Sequence, residues 1–164
     1  MSLEGSQAPE FELESTNGDT VSLSETLATG PTVVVINRGW WCSFCAEQLA
    51  TINRVFEDLK FNDGVDVLPV VTSEFGDVAA MQDRFDYNFP LLVDPEGEVA
   101  EQYSGTEQTD AGGPTGIAAT YVVDQDGEVR YEQVAEDITD RTYGNYLRYL
   151  IREDYGGAFE DPGF

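Results

Sequence analysis

The segment Thr32–Leu49 reads TVVVINRGWWCSFCAEQL, and the fold is decided here. Its opening, Thr32 to Ile36, is an unbroken β-branched run of the kind buried on both faces of a sheet. A helical pattern follows: Cys45, Leu49, Ile52, Phe56 and Leu59 recur at three- and four-residue steps, with Glu47, Arg54, Glu57 and Asp58 on other faces. Between strand and helix stand both cysteines of the chain, Cys42 and Cys45, spaced C-x-x-C. At the head of an amphipathic helix that spacing carries information, because unpaired backbone N–H groups there favour a thiolate. Two sulfurs so close form a small disulfide that is easily reduced again and adds little stability, which suits a reversible redox pair better than a structural staple. Zinc needs four ligands and the chain has two cysteines and no histidine, so neither a metal nor another cofactor is expected. The bland alternative is an inert pair packed as small hydrophobes.

Working outward, FELESTNGDTVSLSE alternates apolar and polar residues around Asn17-Gly18 and predicts a β-hairpin. Beyond the cysteine helix, VDVLPVV reads as a second buried strand, with Pro69 suggesting a bend or an irregular edge. A helix turning Val78, Met81 and Phe85 inward comes next, then the short strand FPLLVD and a brief helix in PEGEVAEQYSG. TYVVDQDGEVRYEQVAE predicts a second hairpin turning at Asp126-Gly127, with its acidic cluster a turn rather than a calcium loop. Tyr143, Tyr146, Leu147, Leu150 and Ile151 form the apolar stripe of a last helix that Thr139 or Asp140 would cap. Strands separated by helices imply a parallel section and the closing hairpin an antiparallel edge, an α/β architecture. One domain over residues 8–153 is expected, after a flexible lead-in of residues 1–7 and before a loosely held tail of residues 154–164.

The chain has 164 residues, 41% of them hydrophobic, which is enough for one full core. Acidic residues number 32 against 8 basic ones, for a net charge of -24, and Lys60 is the single lysine. Such charge drives the compact state apart unless salt screens it, and the screening length falls to roughly 3 Å near 1 M salt. Carboxylates spread along the whole chain therefore point to a halophilic source, and nucleic acid is not expected as a partner. No apolar run approaches the span of a bilayer and no basic-then-apolar leader opens the chain, so a cytoplasmic location without membrane contact is expected.

RGWWCSFCAEQL resembles the RGxWCPYCxxQL signature of redoxins close to the peroxiredoxins, the AhpC/TSA family. FPLLVDPEGEVAEQYSG is similar to that family's FPLLSDPDGEVAKAYG, and the two hairpins also follow its pattern, from about Ala8 to Ala135. The resemblance implies a thioredoxin fold, a central mixed sheet flanked by helices with an N-terminal β-hairpin extension. It also implies thiol-based oxidoreductase chemistry at Cys42 and Cys45. In the thioredoxin register Cys42 attacks and Cys45 resolves; in the peroxiredoxin register, P-x-x-x-T-x-x-C, Cys45 attacks, and both registers fit. The arginine of peroxiredoxins and the cis-proline of thioredoxins would both fall near Ala118, and neither is present. Thr120, in the same late strand, counts among the supporting residues. Arg38 is expected to be the only cation near the sulfurs, either steadying a thiolate or pairing with a surface carboxylate. Of Trp40 and Trp41, one is expected to pack the strand–helix junction and one to flank the active thiol. Glu47 reads as a solvated carboxylate, with proton relay the alternative. Peroxide reduction is the leading expectation, protein-disulfide reduction its close alternative and a redox-silent interaction module the third. The substrate would be a peroxide or a disulfide, and an external dithiol protein would reset the pair.

Overall fold

The computed structural model describes residues 2–109 and 113–154. A seven-stranded sheet forms its centre. In chain order the strands are β1 (Glu12–Ser15), β2 (Thr20–Ser22), β3 (Thr32–Asn37), β4 (Asp66–Val71), β5 (Leu92–Val93), β8 (Ala119–Val123) and β9 (Val129–Val134). Two further strands, β6 (Thr106–Thr109) and β7 (Gly113–Gly116), make a separate ribbon. The sheet order is β2-β1-β5-β4-β3-β8-β9, with β3, β4 and β5 parallel and the other pairings antiparallel. The expected parallel section is thus flanked by one hairpin on each side.

β3 is buried along its whole length because it feeds two cores. Val33 and Val35 face the cluster built by α2 (Ser43–Asn62), α3 (Phe75–Phe85) and α5 (Gly144–Tyr149). Val34 and Ile36 face Phe11, α1 (Leu23–Leu27) and α4 (Glu98–Tyr103). A period of two along the strand and helices on both faces account for the continuous apolar run. Along α2, Leu49, Ile52, Phe56 and Leu59 are buried as the periodicity predicts. Each side chain of that size contributes about 1.5–3 kcal/mol on burial, so the helix that carries the cysteines is firmly seated.

Several expectations are corrected. Pro69 lies in an interior strand, opposite Val35 in an unbroken register and without a bend, and the edge it suggests is local to its β5 side. It is tolerated because β5 pairs only with Val70 and Val71, so the ladder on that side begins after the proline. The second strand of the first hairpin stops at Ser22, whose hydroxyl accepts the Glu25 N–H and starts α1 in place of further strand. Phe85 is not inward: as the last residue of the helix, before a left-handed Asp86, it is 40% exposed and stacks on Tyr87. The last helix starts at Gly144 behind Tyr143, not at Thr139 or Asp140. Those two residues hold an Asp137–Asp140 loop instead, with Asp137 accepting from Thr139 and Asp140 from the Glu136 N–H. Tyr146 is exposed while Leu147, Leu150 and Ile151 are buried, and the helix continues into a π-type turn, Leu150–Asp154.

Residues 5–8 run beside the β8–β9 turn, where Gly5 N–H donates to Val129 O at 2.8 Å and Ala8 N–H to Gly127 O at 2.8 Å. The tail from residue 155 onward lies outside the described residues. Among the described residues, no helix is long and apolar enough to cross a membrane.

Candidate active site

The parallel strands deliver the cysteines to one end of the sheet. β3 closes at Asn37, whose buried amide donates to Val70 O at 3.1 Å and ties the strand end to β4. Residues 38–41 then turn the chain into α2, and Cys42 becomes that helix's N-cap. Its Sγ accepts the Cys45 N–H at 3.3 Å, the position a serine or aspartate oxygen commonly fills. No acidic residue occupies the first turn of α2, although the chain carries 32 of them. The positive end of the helix is left to the sulfur.

Both sulfurs are buried: Cys42 is 3% exposed and Cys45 0%. The Cys45 Sγ also receives the Arg38 backbone N–H at 3.5 Å. The Cys45 thiol donates to the Cys42 sulfur, and this hydrogen bond does most to hold the Cys42 pKa down, at about 5. Burial opposes the shift; the Cys45 N–H and the Arg141 guanidinium add to it. Cys45 moves the other way, well above the ordinary thiol range, because it gives up its proton only by losing that hydrogen bond, inside an apolar site and beside a thiolate. The pair is therefore a thiolate at the helix cap with a neutral thiol beneath it.

The cation in contact with the sulfurs is not Arg38 but Arg141. Its Nη2 lies 3.7 Å from Cys42 Sγ and 3.6 Å from Cys45 Sγ, and the residue is buried. The Arg38 guanidinium instead lies over the Trp41 ring, 4.9 Å from its centroid, and 3.9 Å from a Glu107 carboxylate oxygen. No local pattern in the sequence marks Arg141, which follows the second hairpin and reaches the site only through tertiary contacts. Gln48 makes those contacts: its buried Nε2 donates to Thr142 O and to Thr120 Oγ1, both at 2.9 Å. Thr120 thus acts at one remove, by anchoring the glutamine that fastens the Arg141 segment to α2. Gly144 completes the attachment, since its N–H donates to Thr51 Oγ1 at 2.8 Å.

Neither tryptophan is a core residue: Trp40 is 47% and Trp41 38% exposed. Trp41 leans across Gly39, where a Cβ would lie 2.7 Å from the indole nitrogen, and Trp40 N–H donates to Ser73 Oγ at 3.0 Å. Glu47 is exposed on the helix, in keeping with a solvated carboxylate. A groove of about 290 Å³ opens along Arg141, lined also by Arg38, Glu107, Ala118, Glu136 and Asp137 among others; neither cysteine lines it.

The family model described as AhpC/TSA family matches residues 5–132, most of the chain. The chain belongs to the AhpC/TSA family. As a thioredoxin-superfamily redoxin it has curated relatives called thiol-disulfide oxidoreductase ResA. That of Geobacillus kaustophilus is 30% identical over 77% of this chain, and the chain spans 66% of that relative's length. That of Bacillus subtilis is 26% identical over 90% of this chain and 75% of its own length. Among solved structures, peroxidoxin BcpB from Mycobacterium tuberculosis superposes with a TM-score of 0.80 at 21% identity, covering 93% of this chain and 99% of that one. The likeness establishes the thioredoxin-type fold expected from the sequence.

Proposed function

We propose that the chain is a thiol–disulfide oxidoreductase in which Cys42 attacks and Cys45 resolves. The observation that carries this reading is the division of labour between the sulfurs: Cys42 caps the helix as an acceptor with its pKa near 5, while Cys45 is fully buried with its pKa raised. The Cys42 thiolate attacks one sulfur of a substrate disulfide, forming a mixed disulfide and expelling the other sulfur as thiolate. Cys45 then loses its proton, attacks the Cys42 sulfur, and releases the remaining substrate thiolate. The substrate gains two electrons as two thiolates, which take up the one proton released by Cys45 and a second from water, and the protein holds the Cys42–Cys45 disulfide until an external dithiol reduces it. The names of the ResA relatives support the same reaction.

Peroxide reduction, the leading expectation from sequence, is the second reading. The Arg141 contact favours it, because a guanidinium beside a thiolate also suits a polar peroxide oxygen. It would run through Cys42: the register that makes Cys45 the attacker assigns that task to the sulfur with the raised pKa and no exposed surface. The experiment mixes reduced protein separately with oxidised glutathione and with hydrogen peroxide, counting free thiols over time. Faster loss of both thiols to the disulfide, through a transient glutathione adduct, is expected. Loss to peroxide alone favours the second reading, and loss to neither leaves only a redox-silent module.

A further inference from the structure

We propose that Arg141 is a catalytic residue shared by both half-reactions, its guanidinium holding the negative charge first on Cys42 and then on Cys45. This rests on the disulfide-exchange reading above and goes beyond it by assigning the group that makes the buried second thiol reactive.

The geometry is unusual for an arginine in so acidic a protein. Arg141 forms no ion pair with a carboxylate among the described residues, although 32 acidic side chains are available in the chain. Its Nη1 donates to the neighbouring Asp140 carbonyl at 2.8 Å, and its buried Nε has no hydrogen-bond partner. What its Nη2 meets is sulfur, at nearly equal distances from Cys42 and Cys45. Asp137 lies close enough to share the Arg141 charge but does not pair with it, so a negative charge on either sulfur is what Nη2 meets directly and stabilises.

That contact favours the second step. Once Cys42 is tied up in a mixed disulfide, Arg141 has lost its anion and the only sulfur left to supply one is Cys45, 3.6 Å away. The Cys45 proton passes to the departing substrate thiolate or to water. The new Cys45 thiolate forms a bond to Cys42 Sγ, the mixed-disulfide S–S bond breaks, and the substrate sulfur leaves with the electron pair. Among the described residues no carboxylate hydrogen-bonds to either sulfur; Asp137 feels the Arg141 charge and Glu136 lines the same groove, but neither forms an ion pair with it. Glu47 is exposed on α2, Glu107 is engaged by Arg38, and Asp137 and Asp140 accept hydrogen bonds within their own loop. The Tyr87 hydroxyl donates to Ala46 O at 3.1 Å, and burial followed by the Cys45 charge keeps it protonated. In the completed disulfide neither sulfur is anionic, so the same guanidinium favours reduction.

The test uses Arg141→Met, Arg141→Gln and Arg141→Lys in the full chain, with circular dichroism as a check of folding. The probe is 4,4′-dithiodipyridine, a neutral disulfide that the guanidinium does not steer. The native protein should release thiopyridone in two phases, from attack by Cys42 and then from resolution by Cys45. In the Met and Gln variants the pH midpoint of the first phase should rise by about one unit or more. The second phase should slow about threefold or more: a tenfold loss of thiolate is partly offset by about a threefold gain in nucleophilicity. Arg141→Lys should recover part of both effects. Folded Met or Gln variants with unchanged midpoint and unchanged second phase would overturn the proposal, and a change in the first phase alone would overturn its shared character. Should Met and Gln both fail to fold, native second-phase kinetics in Arg141→Lys would overturn it. A native protein with no second phase would sink the disulfide-exchange reading and with it the role on Cys45, while the first-phase midpoint would still report on Cys42.

Discussion

Ionisation of Cys42 should make the reduced protein's stability depend on pH in a window where little else titrates. Its pKa is about 5 in the folded protein, whereas an unfolded thiol titrates near ~8.5. A depressed folded-state pKa contributes stability that is fully present above the unfolded value and is lost as pH falls through the folded one. Between them the unfolded chain binds one more proton, so unfolding free energy should climb by about 1.4 kcal/mol per pH unit. From pH ~6 to ~8 the gain is about 2.7 kcal/mol. The chain has no histidine, and the raised Cys45 stays neutral in both states over most of that range. Urea unfolding of the fully reduced protein in concentrated KCl gives the slope, and the double variant Cys42→Ser with Cys45→Ser gives the background. Subtraction should leave about one proton's worth of slope for the wild type. Cys45→Ser should retain most of it, because serine keeps a donor against Cys42. Parallel wild-type and double-variant lines would refute a thiolate in the pair, and loss of the slope only in Cys45→Ser would place the charge on the other sulfur.

Gly144→Ala places a Cβ 2.2 Å from Thr51 O, so α5 must lift from α2; urea unfolding should show a loss of about 1–3 kcal/mol or more. Gln48→Leu removes the donor to Thr120 and Thr142 and strands a buried carbonyl, a cost of about 1–3 kcal/mol. If the glutamine fastens the Arg141 segment, the same variant should also raise the pH midpoint of Cys42 alkylation by iodoacetamide. With a net charge of -24, the fold should loosen in dilute buffer and tighten in ~3 M KCl. Equal urea midpoints in ~0.1 M and ~3 M KCl would count against that expectation and against a halophilic source.

The strand–motif–helix segment was legible because its signals are local: a β-branched run, then apolar residues at helical steps, on either side of C-x-x-C. Both hairpins followed from glycine-containing turns between alternating strands. The β6–β7 ribbon was missed because TEQT and GPTG offer no apolar alternation and include glycine and proline. Phe85 fits the spacing of the helix face, yet as the last residue of the helix it lies beyond the core and stacks on Tyr87. The start of α5 is set by a tertiary contact, the close approach of Gly144 to Thr51, and not by a capping residue. Arg141 lies 99 positions from Cys42 in the chain and was invisible for the same reason. Arg38, adjacent in sequence, drew attention that belonged to a residue brought in by Gln48 and Thr142. Distance along the chain thus separated what was readable from what was not: the thiols are a local motif, and their cation is a product of folding.

One measurement bears most directly on all of this. Cys42→Ser and Cys45→Ser, each folded in concentrated KCl, are given a small excess of a neutral disulfide, and the intact masses are followed. The account predicts a persistent mixed disulfide on Cys42 in the Cys45→Ser protein and almost none in the Cys42→Ser protein. Accumulation on Cys45 instead, with Cys42 left free, would contradict it.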